Sequence, residues 1–113
     1  MTYEMNELIT EQDASAQRYL EFLRVPNMSA GLYTLPAGAA DPQLPHDEDE
    51  LYLVTEGQAR LRVGAADFPV AAGSVCYVPG KTAHRFHSIS ENLRVLVLFA
   101  PAETPDPLSR RRR

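Results

Sequence analysis

Apolar and polar residues fall along this chain in short runs, and nearly every run is closed by a glycine or a proline. Residues 18–25 (Arg-Tyr-Leu-Glu-Phe-Leu-Arg-Val) are rich in aromatic and branched side chains and stop at Pro26, the pattern of a strand and its terminator. Residues 29–35 give a second strand, ended by Pro36, Ala37 and Gly38. Residues 38–49 are dense in Pro, Gly and Asp and read as a loop. Further strands are predicted over 50–55, ending at Glu56 and Gly57, and over 59–63, ending at Gly64. Others cover 67–71 before Gly73, 74–78 before Pro79 and Gly80, 85–88 before Glu91 and Asn92, and 93–99 before Pro101. Short strands at regular spacing predict an all-β antiparallel sandwich or barrel. No helix longer than a few turns and no internal repeat is evident.

The two ends read differently. Residues 1–17 are polar with scattered apolar positions, and Asp13 to Gln17 suit a short helix start, so a mobile or helical N-terminal arm is expected. Beyond Ala100, three prolines within residues 101–107 cannot sustain a ladder, because proline has no N–H. That segment is expected to be peripheral. The chain thus divides into an arm (1–17), a β-domain (18–100) and a Pro- and Arg-rich tail (101–113).

Composition narrows the function classes. With 113 residues, 44% hydrophobic and 23% charged, the chain suits one globular domain rather than a disordered, collagen-like or coiled-coil one. The longest apolar run, Val95 to Ala100, is far short of the roughly 20 residues a membrane helix needs, so no membrane partner is expected. The N-terminus is acidic, without the apolar stretch of a secretory signal, and the single cysteine, Cys76, cannot form an internal disulfide; both point to the cytoplasm. The net charge of −4 includes the terminal Arg110 to Arg113. Without them 7 basic residues face 15 acidic ones, a balance of −8. An acidic body argues against a nucleic-acid partner, and the arginine run reads as a solvated tail.

The chemistry concentrates on three histidines. His46 precedes a strand and stands four residues before Glu50, while His84 stands where a turn feeds another strand. Two imidazoles and a carboxylate converging from strand edges can hold one Fe, Mn, Ni, Co or Zn ion and leave positions open for water or substrate. Side-chain alternation sorts the candidates, because even steps along a strand share a face. Glu50, Tyr52 and Val54 point together, as do His84 and Phe86, whereas His87 is an odd step from His84 and faces away. Asp47, Glu48 and Asp49 are expected to be solvated in the loop, and Arg60 and Arg62 to face solvent. Tyr33, Tyr52, Tyr77 and Phe86 are expected in the core or cavity wall, and Cys76 as a small buried apolar residue. Leu51 and Leu53 point opposite to Glu50, so that outer face needs cover, which a second subunit would give.

Two stretches together resemble the paired motifs of the cupin superfamily. Gly38, His46, Glu50 and Gly57 match the first motif (Gly, five residues, His-x-His, three or four residues, Glu, six residues, Gly) at every fixed position but its first His. Gly73, Pro79 and His84 match the second (Gly, five residues, Pro-x-Gly, two residues, His). With flanking strands the resemblance covers roughly residues 28–100. It implies a small double-stranded β-helix, or jelly-roll barrel, enclosing a cavity. It also implies a divalent transition metal on His46, Glu50 and His84, a small-molecule ligand or substrate, and a homodimer. Enzymes of this type include metal-dependent dioxygenases, isomerases and lyases. The alternative is a non-catalytic small-molecule-binding cupin in which metal is absent or incidental. Three departures stand out. Leu44 occupies the first His position, with Gln43 beside it as a possible approach to the metal. Lys81 replaces the motif glycine, with Gly80 next to it, and Ser88 stands where the family often has Asn. No residue presents itself as a general base.

Overall fold

The computed structural model describes residues 1–104. Its elements are α1 (Met5–Ser15), β1 (Tyr19–Val25), β2 (Met28–Leu35), β3 (Asp49–Val63), β4 (Ala66–Ala71), β5 (Val75–Val78) and β6 (His84–Ala100). The strands pair antiparallel in the order β1-β2-β6-β3-β4, with β5 added on β3. β3 and β6 pair from Asp49↔Ala100 to Val63↔His84 and form the spine. The first part of β3 also pairs with β5 and its last part with β4, while the second half of β6 pairs with β2. This all-β sheet folds into a barrel around Tyr19, Tyr33, Tyr52, Leu61, Phe86, Val97 and Phe99, all nearly or wholly removed from solvent.

Two pairs of expected strands are each a single strand. Residues 50–55 and 59–63 are parts of the 15-residue β3, and 85–88 and 93–99 are parts of the 17-residue β6. Gly57, with φ +97°, interrupts β3 without ending it, and the β3–β6 register shifts between Val54 and Arg60. The inward set changes parity there, from Glu50, Tyr52 and Val54 to Ala59 and Leu61. β6 does the same near Ser88, φ +51°: His84 and Phe86 face inward before it, and Ile89, Leu93, Val95, Val97 and Phe99 after it. An extra residue in one strand bends it and switches its phase, which is a β-bulge. Bulges of this kind let one strand serve two sides of a barrel.

The arm takes the helical form. α1 buries only Leu8 and Gln12, and the Gln12 amide donates to the carbonyls of Leu32 (2.8 Å) and Arg18 (3.1 Å), fixing the helix to β2 and the start of β1. Beyond β6 the expectation of a peripheral segment fails for the residues described. Glu103 is fully buried, its N–H donates to Ser29 Oγ (2.9 Å), and Arg24 Nη2 donates to its carbonyl (2.8 Å). The prolines end the ladder but turn the chain back over β2. Residues 105–113, including the arginine run, lie outside the described residues.

Leu51 and Leu53 are exposed on the outer face, as alternation requires. Tyr77, expected inside, joins them, because Cys76 and Val78 take the inward positions of β5 and leave Val75 (64% exposed) and Tyr77 (58%) outside. Among the described residues no helix is long and apolar enough to cross a membrane.

Gly57 tests the bulge. A Cβ built there would overlap the Asn92 carbonyl, and the φ lies in the region disfavoured for side chains. Gly57→Ala is expected to lower stability by about 1–3 kcal/mol, read as a lower urea midpoint with an unchanged m-value.

Candidate metal centre

The barrel brings together the three residues that the motifs pick out. Glu50 is the second residue of β3 and faces inward between its partners Val78 and Phe99. His84 opens β6, and His46 comes from the loop before β3. Two turns are stitched to hold them. The Lys81 N–H donates to the His46 carbonyl, and the Gly80 N–H donates to Asp49 Oδ1 (2.8 Å). A side chain at Gly80 would overlap the Asp47 carbonyl, so glycine is needed there for close approach. Lys81, at the motif glycine, has φ +62°, the left-handed conformation that glycine adopts most readily.

All three side chains are buried, and a ligand atom from each lies within 4.8 Å of the others. Glu50 Oε1 is 2.9 Å from His84 Nε2 and 3.6 Å from His46 Nε2. His84 Nδ1 is 2.8 Å from the Thr82 carbonyl. A carbonyl only accepts, so Nδ1 carries the proton and Nε2 directs a lone pair toward Glu50 and His46 when the ring is neutral. His46 is turned the same way, Nε2 toward Glu50, with Nδ1 on the opposite side 3.8 Å from Glu103 Oε2. Phe99 packs edge-on against the His46 ring, and Tyr52 lies beside the His84 ring. Two imidazole nitrogens and one carboxylate oxygen, buried and directed at one point, form a donor set that fits a divalent transition metal.

His87 lies apart from this group, as alternation requires. Its Nε2 is 3.0 Å from both Asp67 oxygens, and Arg60 and Arg62 reach the same carboxylate at 3.1 Å. The hydrogen bond with His87, followed by that from Arg60, holds the Asp67 carboxyl below its ordinary value. Cys76 is buried, and desolvation pushes its thiol up, away from thiolate reactivity. Gln43 turns to Asp41 and Tyr52: its amide donates to Asp41 Oδ2 (2.7 Å) and its oxygen accepts from the Tyr52 hydroxyl (3.2 Å). Leu44 beside it is half-buried.

Three carboxylates escaped the sequence reading. Asp41 is nearly buried and accepts from the Tyr33 hydroxyl (2.6 Å), the Phe86 N–H (2.9 Å) and Gln43, tying the 36–48 loop across the barrel. Glu48, expected in solvent, is 4% exposed and accepts from Thr104 Oγ1 (2.7 Å). Glu103 lies against His46. Nothing near them in sequence marks them out, since an acid between prolines or in an acidic run ordinarily reads as solvated.

An antiparallel barrel with an inward His-Glu-His group at one end of its longest strand pair is the architecture of a cupin, and the chain belongs to that family. The family model described as a cupin domain matches residues 31–99. An uncharacterized protein of Streptomyces coelicolor is 52% identical over 102 residues, which cover 90% of this chain and 97% of that protein. Among solved structures, the cupin domain of Schizosaccharomyces pombe Cnp3 superposes with a TM-score of 0.68 at 22% identity, over 74% of this chain and 63% of that one, just under two thirds. KdgF from Halomonas sp. gives 0.67 at 19% identity, over 74% of this chain and 76% of that one. At these identities the two structures speak for the fold alone.

The Asp41 network supplies a stability test. Asp41→Ala removes the acceptor of two buried donors, at roughly 1–3 kcal/mol for each donor left unsatisfied. A loss on the order of 3 kcal/mol is expected in chemical denaturation; a loss near zero would mean that the loop is held by other contacts.

Proposed function

We propose that this chain is a metal-binding cupin that acts on or senses a small organic molecule, with one divalent transition metal held by His46, Glu50 and His84. The observation that carries the reading is that two rings from separate segments turn the same nitrogen, Nε2, toward one buried carboxylate. His84 Nδ1 is engaged by the Thr82 carbonyl, which leaves Nε2 as the ring nitrogen facing Glu50. The donors suit Fe, Mn, Ni, Co or Zn. When bound, such a metal supplies Lewis acidity toward a carbonyl or enolisable group, or oxygen activation if it is iron. The protein's part is to fix His84 through Thr82, to wall His46 with Phe99 and to keep water away from Glu50. Three ligands leave coordination positions for the small molecule.

Leu44 favours a second reading. An apolar residue at a usual ligand position suits a barrel that binds an organic molecule without catalysis, any metal being incidental. Elemental mass spectrometry on protein purified without chelators separates the two. About one equivalent of metal per chain is expected, and its loss in a folded His46→Ala/His84→Ala double variant. No metal in the wild type, even after reconstitution, would sink the metal reading. Ligand-induced thermal stabilisation that persists in the double variant would then support the second.

The working assembly is a cytoplasmic homodimer, in which a second copy covers the face of Leu51, Leu53, Val75 and Tyr77. Within the cytoplasm Cys76 stays a thiol. Light scattering should give twice the chain mass for the wild type and the monomer mass for Val75→Asp/Tyr77→Asp. A monomeric wild type would end this proposal.

A further inference from the structure

Glu103 is the least expected side chain in the barrel. It comes from a Pro-rich segment that makes no ladder, yet it has no exposed surface, and its carboxylate lies 3.8 Å from His46 Nδ1. Burying a carboxylate is costly unless a complementary group meets it. Its backbone is tied on both sides, through the N–H to Ser29 Oγ and through the carbonyl to Arg24 Nη2. The next residue, Thr104, donates to the buried Glu48. The strap from Ala100 to Thr104 is thus fixed in a way that keeps one acid against one face of His46.

Which face matters. His46 Nε2 is turned toward Glu50 and Nδ1 toward Glu103, on opposite sides of the ring. Glu103 therefore does not reach the nitrogen that His46 offers to a metal. His84 repeats the arrangement, with Nε2 toward Glu50 and Nδ1 on the Thr82 carbonyl. Each ring has an oxygen behind Nδ1, one from the backbone and one from the strap.

We propose that Glu103 is a positioning residue for the metal site, its carboxylate orienting the His46 ring across 3.8 Å so that Nδ1 faces the acid and Nε2 is directed inward. This inference rests on the metal reading above. A carboxylate behind a ligating imidazole orients the ring and raises its basicity, and its loss typically weakens metal binding 10- to 100-fold. With Leu44 in place of another ligand, that contribution falls on a set of three.

The experiment is a competition titration of Zn²⁺ against a chromophoric chelator, for wild type, Glu103→Gln and Ser29→Ala, with melting curves of the metal-free proteins. Glu103→Gln is expected to bind Zn²⁺ roughly 10- to 100-fold more weakly, with metal-free melting at or above that of wild type, since a buried charge has gone. Ser29→Ala frees one strap anchor but keeps the carboxylate, and is expected to lower melting with a smaller loss of affinity. Equal Zn²⁺ affinity in wild type and Glu103→Gln overturns the inference and leaves the metal reading standing. A wild type that binds no Zn²⁺, Mn²⁺ or Fe²⁺ overturns both. A further readout needs no variant: long-range proton–nitrogen correlation on Zn²⁺-loaded wild type should show His46 protonated at Nδ1, and an Nε2–H form would overturn the assignment.

Discussion

A carboxylate held inside a small barrel is the constraint on which the rest of this molecule depends. Glu50 is 1% exposed, and a carboxyl group so placed needs polar partners built around it. The barrel meets this by delivering His84 to 2.9 Å and His46 to 3.6 Å from the same oxygen. That delivery depends on the β3–β6 ladder, whose register carries Glu50 and His84 to inward positions, and on the stitched turns at Lys81 and Gly80 that bring in His46. Ladder, turns and site are one construction. A change that slipped the ladder by a single residue would send Glu50 to the outside and strand two imidazoles in an apolar interior.

The inner surface could be read from the sequence wherever alternation runs unbroken. Glu50, Tyr52 and Val54, and separately His84 and Phe86, fall on the face that alternation assigns them, and His87 falls outside. The reading failed where the alternation changes phase. Gly57 looks like a strand end because glycine usually is one, and nothing local distinguishes a bulge from a turn. The difference lies in whether the chain continues along the same partner, here β6, about which a window of ten residues holds no information. The same limit explains Tyr77, whose side of the sheet depended on where β5 begins.

The buried acids were illegible for another reason. Asp41, Glu48 and Glu103 are buried by contacts that span 45, 56 and 74 residues, to Phe86, Thr104 and Ser29 respectively. An acid near proline or in an acidic run is ordinarily exposed, so composition argued the wrong way for each. What rescues such groups is a set of donors assembled only after the barrel closes: a tyrosine hydroxyl, a backbone N–H at a bulged strand, a threonine on the returning strap. Motif spacing found His46, Glu50 and His84 because they belong to local patterns of strand and turn. It has no means of finding a residue such as Glu103, which meets His46 from a distant segment.

This division bears on what the missing ligand means. Leu44 removes a donor from the family's usual four, and a chain that had abandoned metal would have little reason to keep the remainder in order. Here Lys81 takes the left-handed conformation at the motif-glycine position, and His84 is tied to Thr82. Backbone strain at Lys81 costs on the order of 1 kcal/mol and is sustained only where the surroundings over-determine it. Burying the Glu50 carboxyl group costs free energy as well. A barrel that has both, with Glu103 as a second acid beside His46, is the kind of interior the metal reading calls for. Oily packing around a plain cavity would need neither the strained turn nor the buried acid.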